Sequence, residues 1–72
     1  MANYIVNKNP QPSGEHEVHR NDGSCSYLPE PTNRLDLGDH ENCWNALAEA
    51  KKRWPNNSFD GCYYCSSNCH TR

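Results

Sequence analysis

The chain has 72 residues, with 7 Lys and Arg against 9 Asp and Glu, a net charge of −2 that argues against a nucleic-acid binder held by a basic face. Leu, Ile, Val and Phe supply only eight residues, yet two Trp, four Tyr, five Cys and the low net charge speak against an open, disordered chain. One small domain over 1–72 is all this length admits; it needs a staple (a metal, disulfides or a partner) to offset its surface-to-volume ratio, and no apolar run reaches the ~18–20 residues of a membrane span.

In chain order, residues 3–7 (Asn-Tyr-Ile-Val-Asn) predict a first strand. Residues 9–14 (Asn-Pro-Gln-Pro-Ser-Gly) are turn-forming, and residues 15–20 read as a second, mostly polar strand that closes a hairpin with a long loop. Asn21-Asp22-Gly23-Ser24 is a further turn that delivers Cys25. Tyr27-Leu28 offers a short strand stopped by Pro29 and Pro31, and residues 33–37 another brief extended piece. A helix is expected over about 40–54: Gly38-Asp39 supplies the cap, Glu41 the first-turn negative charge, and Pro55 the stop. Cys43, Leu47, Ala50 and Trp54 fall on one face, which must lie across the hairpin. The basic run Lys51-Lys52-Arg53 suits the negative end of the helix dipole. Residues 55–58 read as a loop, Phe59 as an isolated apolar anchor, and residues 60–72 as a Cys-rich tail that something must tie down.

Met1 to Lys8 lacks the basic-then-apolar plan of a secretory signal, so a cytoplasmic location is expected. In a reducing compartment clustered cysteines favour metal over disulfides, and five is an odd number for intramolecular bridges. Asn56-Asn57-Ser58 fits the glycosylation triplet but in that compartment is a turn-like string. The spacing Cys62-x-x-Cys65 lets two thiolates approach one tetrahedral ion, and Asp60-Gly61 before it suits a tight turn in which glycine takes positive φ. With Cys69 and the distant Cys25 they form the expected four-sulfur set, Cys25, Cys62, Cys65 and Cys69, for one structural zinc. His19 or His70 in place of Cys69 are the alternative fourth ligands, and iron the alternative metal. Disulfides, for instance Cys25 with a terminal cysteine, and a redox-active Cys-x-x-Cys are the rival readings of the same residues. Cys43, on the apolar helix face, reads as a buried small hydrophobe. His16-Glu17-Val18-His19 is one residue short of a metalloprotease motif, and on a strand its imidazoles point to opposite faces. His40 is expected exposed at the helix start, and a nucleophilic pair of Cys69 with His19 lacks an orienting third group.

Taken together, Tyr4-Ile5-Val6-Asn7-Lys8-Asn9, His16-Glu17-Val18-His19, Cys25-x-x-Leu28-Pro29, Leu37-Gly38, Ala46 to Lys51 and Asp60-Gly61-Cys62-x-x-Cys65-x-x-x-Cys69-His70-Thr71 resemble a family of short, uncharacterised bacterial and phage-borne Cys-rich proteins. More loosely, Cys25 to Cys65 is similar to the zinc-binding module of the bacterial alkylation-repair regulator, with an early Cys, a helix of small residues and a late Cys-x-x-Cys. That similarity implies a zinc-stapled β-β-α arrangement.

The expected fold is α+β: an antiparallel hairpin or three-stranded sheet, one helix over about 40–54 and a metal-stapled C-terminal tail. The expected function is that of a non-enzymatic zinc-binding module, a protein-interaction or adaptor protein with an unidentified protein partner. Tyr27, Tyr63 and Tyr64 are either contact residues or filling for a sparse core. The alternatives are a thiol redox protein using Cys62-x-x-Cys65, and a phage or mobile-element protein that inhibits a host protein.

Overall fold

Tyr4, Ile5 and Val6 sit in β1 (Ala2–Asn7) of the computed structural model, which describes residues 1–23 and 25–71. Side chains alternate across a strand, so Tyr4 and Val6 enter one buried cluster while Ile5, also buried, lies outside it. β1 pairs antiparallel with β2 (Glu15–Arg20), as the hairpin reading requires. Gly14, in the left-handed region at φ +94°, closes the turn by donating its N–H to Gln11 O, 2.8 Å away. Of the predicted turn 21–24, Ser24 lies outside the described residues, as does Arg72 of the tail.

The predicted extended piece 33–37 is the start of a longer strand, β3 (Arg34–His40), antiparallel to the other side of β1. Its register slips between Tyr4 and Ile5, so that Tyr4 faces Gly38 and Ile5 faces Asp36. The extra residue in this bulge, Leu37, turns into the core, and Gly38 takes the left-handed conformation (φ +85°) that the bend needs. Gly38-Asp39 therefore belongs to a strand and does not cap the helix.

The helix α1 (Cys43–Arg53) begins later than expected, at Asn42, whose side-chain oxygen accepts from the Asn45 N–H at 3.0 Å. His40 accordingly lies at the end of β3, half-buried, with Nε2 2.7 Å from Leu37 O. Cys43, Ala46, Leu47 and Ala50 form the buried stripe of α1, packed on Tyr4, Val6, Val18, Leu37 and Phe59; Trp54, just past the helix, packs at the edge. Trp44 flanks the stripe and is exposed.

Phe59 belongs to a fourth strand, β4 (Ser58–Gly61), where the sequence reading placed only a loop and an anchor. β4 runs parallel to β2, Glu15 opposite Ser58 through Val18 opposite Gly61. The sheet is thus mixed, in the order β3-β1-β2-β4, and α1 carries the chain from one edge to the other. The class is α+β, with one helix on a four-stranded sheet instead of a hairpin or three strands. No helix among the described residues is long and apolar enough to cross a membrane.

Candidate metal centre

Within β2, Val18 and His19 are both fully buried but point to opposite faces: Val18 enters the core under α1, His19 the other side. Three cysteines converge on that imidazole. Cys25 arrives from the segment after β2. Cys62 follows β4 directly, its N–H donating to Val18 O at 2.9 Å, which continues the β2–β4 ladder by one bond. A turn closed by Ser66 N–H on Cys62 O at 2.8 Å then brings Cys65 round, where Arg20 N–H reaches its Sγ at 3.3 Å.

The ligand atoms of His19, Cys25, Cys62 and Cys65 lie within 4.8 Å of one another, so this group can hold a metal ion. Cys25 Sγ is 3.9 Å from Cys62 Sγ and 3.8 Å from His19 Nδ1, and Cys65 Sγ is 3.6 Å from that same nitrogen. A tetrahedral zinc, with bonds of about 2.3 Å to sulfur and about 2.0 Å to nitrogen, separates two sulfurs by about 3.8 Å and sulfur from nitrogen by about 3.5 Å. These three edges match a tetrahedron to within a few tenths of an ångström, and the other three are no longer than 4.8 Å.

The electrostatics fit the same chemistry. Burial, reinforced by the Arg34 charge, holds His19 down at about 4, so at neutral pH its imidazole is uncharged and offers a lone pair. Its other nitrogen, Nε2, is buried without a well-aligned hydrogen bond, with Glu17 Oε1 3.3 Å away. A carboxylate behind a ligating imidazole, two residues away on the same strand face, is the usual means of fixing tautomer and ring orientation. Burial also raises Cys62, and pushes Cys65 up to about 12 despite the Arg20 amide. Neighbouring thiols disfavour ionisation of Cys65 further. Three crowded sulfurs cannot share negative charge without a cation among them, and a bound divalent ion reverses that logic.

Of the expected set, Cys25, Cys62 and Cys65 come together and Cys69 stands apart. Cys69 lies in the 3-10 turn Ser67–Cys69, fully buried in the α1-side cluster and joined in a disulfide to Cys43 across a Cα separation of 6.2 Å. The turn carries its sulfur past the sheet edge to the helix side, and His19 occupies the fourth corner. His70 is held elsewhere, with Nδ1 2.8 Å from Gly61 O and 3.4 Å from Asp60 Oδ2. Asp60 fastens the tail, its Oδ1 accepting from both the N–H and the hydroxyl of Thr71 at 2.9 and 3.0 Å. Gly61 is not in the positive-φ region expected of it. Its glycine answers a close approach: an added Cβ would sit 2.6 Å from Ser66 O and collide with Cys69 Sγ. Two features had a trace in the sequence: the odd cysteine count, now three plus one pair, and the place of Cys43 on the buried stripe.

Comparison of the chain with family models, curated proteins and solved structures finds no match.

Proposed function

We propose that the protein is a small zinc-binding module in which the ion, held by His19, Cys25, Cys62 and Cys65, is structural. The observation that carries this reading is the convergence of three Cys and one His, with three tetrahedral edges among them and Glu17 behind the imidazole. All four positions are taken by protein, which leaves no open place for substrate, the mark of a structural zinc as against a catalytic one. The ion would tie the segment after β2 to the loop after β4, and its binding free energy would become folding free energy.

The working surface of the module is an aromatic one that the metal loop presents. Tyr27, Tyr63 and Tyr64 are 58%, 61% and 63% exposed. Tyr27 stacks on Tyr64 at a centroid distance of 4.1 Å, and Tyr63 meets Tyr64 edge-on at 5.1 Å. Tyr63 and Tyr64 lie between the two ligands of Cys62-x-x-Cys65, so ordering the loop orders the rings. Exposed, pre-ordered tyrosines give large contact area at little entropy cost, which supports a non-enzymatic protein-interaction or adaptor role. The raised thiols at Cys62 and Cys65 disfavour a redox role for that pair, since an attacking cysteine needs a depressed pKa. A cytoplasmic location and kinship with short bacterial and phage-borne Cys-rich proteins, more loosely with the zinc module of the alkylation-repair regulator, belong to the same proposal. Three thiols kept free of one another speak for the former and the Cys43–Cys69 bridge speaks against it; the latter is supported by the shared pattern of an early Cys, a helix of small residues and a late Cys-x-x-Cys.

Cobalt(II) titration of the chelator-stripped chain tests the site. A tetrahedral S3N set gives intense visible bands and a sulfur-to-metal charge-transfer band, saturating at one equivalent and bleached by zinc. Weak octahedral absorption, or unchanged bands in His19→Ala, would overturn the assignment.

A further inference from the structure

The Cys43–Cys69 bridge lies outside the metal set and is placed for exchange. Cys43 opens the helix α1, directly after its cap Asn42, where the positive end of the helix dipole favours negative charge on its sulfur. It also lines a polar cavity of about 290 Å³ together with Arg20, Glu41, Asn42 and Cys65 of the candidate metal group, whereas Cys69 does not. Both residues are buried, Cys43 at 6% and Cys69 at 1% residue exposure, so access to the bridge is through the cavity wall at Cys43. The reduced state is provided for as well. Ser66 O lies 3.3 Å from Cys69 Sγ and 3.9 Å from Cys43 Sγ, so a freed thiol finds an acceptor at once and neither state leaves a buried polar group stranded.

From these observations we propose that Cys43–Cys69 is a reversible thiol–disulfide exchange site, opened by a small charged thiol of the glutathione class entering through this cavity. Glu41 at its wall is complementary to the ammonium group of such a thiol, and Arg20, whose Nε is paired with Asp22 Oδ2 at 2.8 Å, has its remaining N–H groups for a carboxylate. The incoming thiolate attacks Cys43 Sγ, forming a mixed disulfide and breaking the bond to Cys69, which leaves as thiolate and takes a proton from water. A second thiolate attacks the small molecule's sulfur in the mixed disulfide, releasing Cys43 as thiolate and the small disulfide as product. Two electrons pass from two thiols to the protein, and the reverse sequence restores the bridge. Opening it frees the 3-10 turn Ser67–Cys69 from α1 and so loosens the covalent anchor of the tail.

The inference does not rest on the metal reading, because peptide mapping after alkylation reads Cys43 and Cys69 whatever occupies the other three sulfurs. The full chain is equilibrated in glutathione buffers, quenched and mapped. Opening of the bridge in the native protein is expected within about a hundredfold of its rate in denaturant, and a slower rate, set by global unfolding, would overturn the proposal. In Cys69→Ser, oxidised glutathione is expected to add to Cys43 at least about tenfold faster than it adds to Cys69 in Cys43→Ser. Equal rates would overturn the assignment of attack to Cys43, and if either variant fails to fold, the comparison on the unaltered chain decides.

Discussion

Glu17 and His19 are two residues apart on β2 and therefore share a face of the sheet, so the orientation of the ligand imidazole is set by the strand itself. Glu17→Gln keeps the shape and removes the charge, and is expected to weaken zinc binding by about tenfold or more without unfolding the loaded protein. Competition with a chromophoric chelator checks it; unchanged affinity would show that Glu17 plays no part. The proton balance follows from the raised thiols and the depressed imidazole. At pH 7 His19, held at about 4, has no proton to lose, whereas the raised thiols of Cys62 and Cys65 each give one up. Zinc uptake is thus expected to release protons from Cys62 and Cys65 and none from His19, and affinity to rise with pH below the thiol range and fall towards acid. Calorimetry in buffers of different ionisation enthalpy counts them, more protons than cysteine ligands indicating that His19 enters charged. Gly61 gives a test of packing: Gly61→Ala drives a methyl into Ser66 O and Cys69, and is expected to cost about 1–3 kcal/mol in chemical denaturation.

The elements show how far local signals reach. β1, β2 and the helix body were legible because strand formers, Pro-rich turns and a 3.6-residue stripe act over neighbouring residues. The start of the helix was misplaced because Asp39 and Asn42 are both good caps, and only the β1–β3 pairing decides between them by drawing Asp39 into a strand. Asn42→Ala is therefore expected to lower stability by about 1 kcal/mol, and Asp39→Ala by no more than about 0.5 kcal/mol, measured by thermal or urea unfolding. The reverse order would favour a helix beginning at residue 40. β4 was not legible at all. Ser58-Phe59-Asp60-Gly61 is four residues of turn-like composition, and it is a strand only because β2 offers a parallel edge 43 residues earlier in the chain. The candidate metal ligands divide along the same line: Cys62 and Cys65 are announced by their spacing, while His19 depends on which strand face meets the late loop. Cys69 looked equivalent to its neighbours until the 3-10 turn carried it to α1.

Across the whole molecule, the apolar cluster under α1 and the Cys3His group occupy opposite sides of one sheet. The first is small, as eight Leu, Ile, Val and Phe residues dictate, and an ion in the second would compensate by joining two chain segments that otherwise meet through the Tyr27–Tyr64 stack. The Cys43–Cys69 bridge closes the remaining gap between helix and tail. The measurement that tests the structural metal most directly is intact mass under native and denaturing conditions, on protein purified without added metal. Expected is one zinc in the native spectrum, lost on denaturation, with Cys25, Cys62 and Cys65 then free and the chain two hydrogens lighter than its fully reduced form. A metal-free native mass, or a further bridge among Cys25, Cys62 and Cys65, would contradict it.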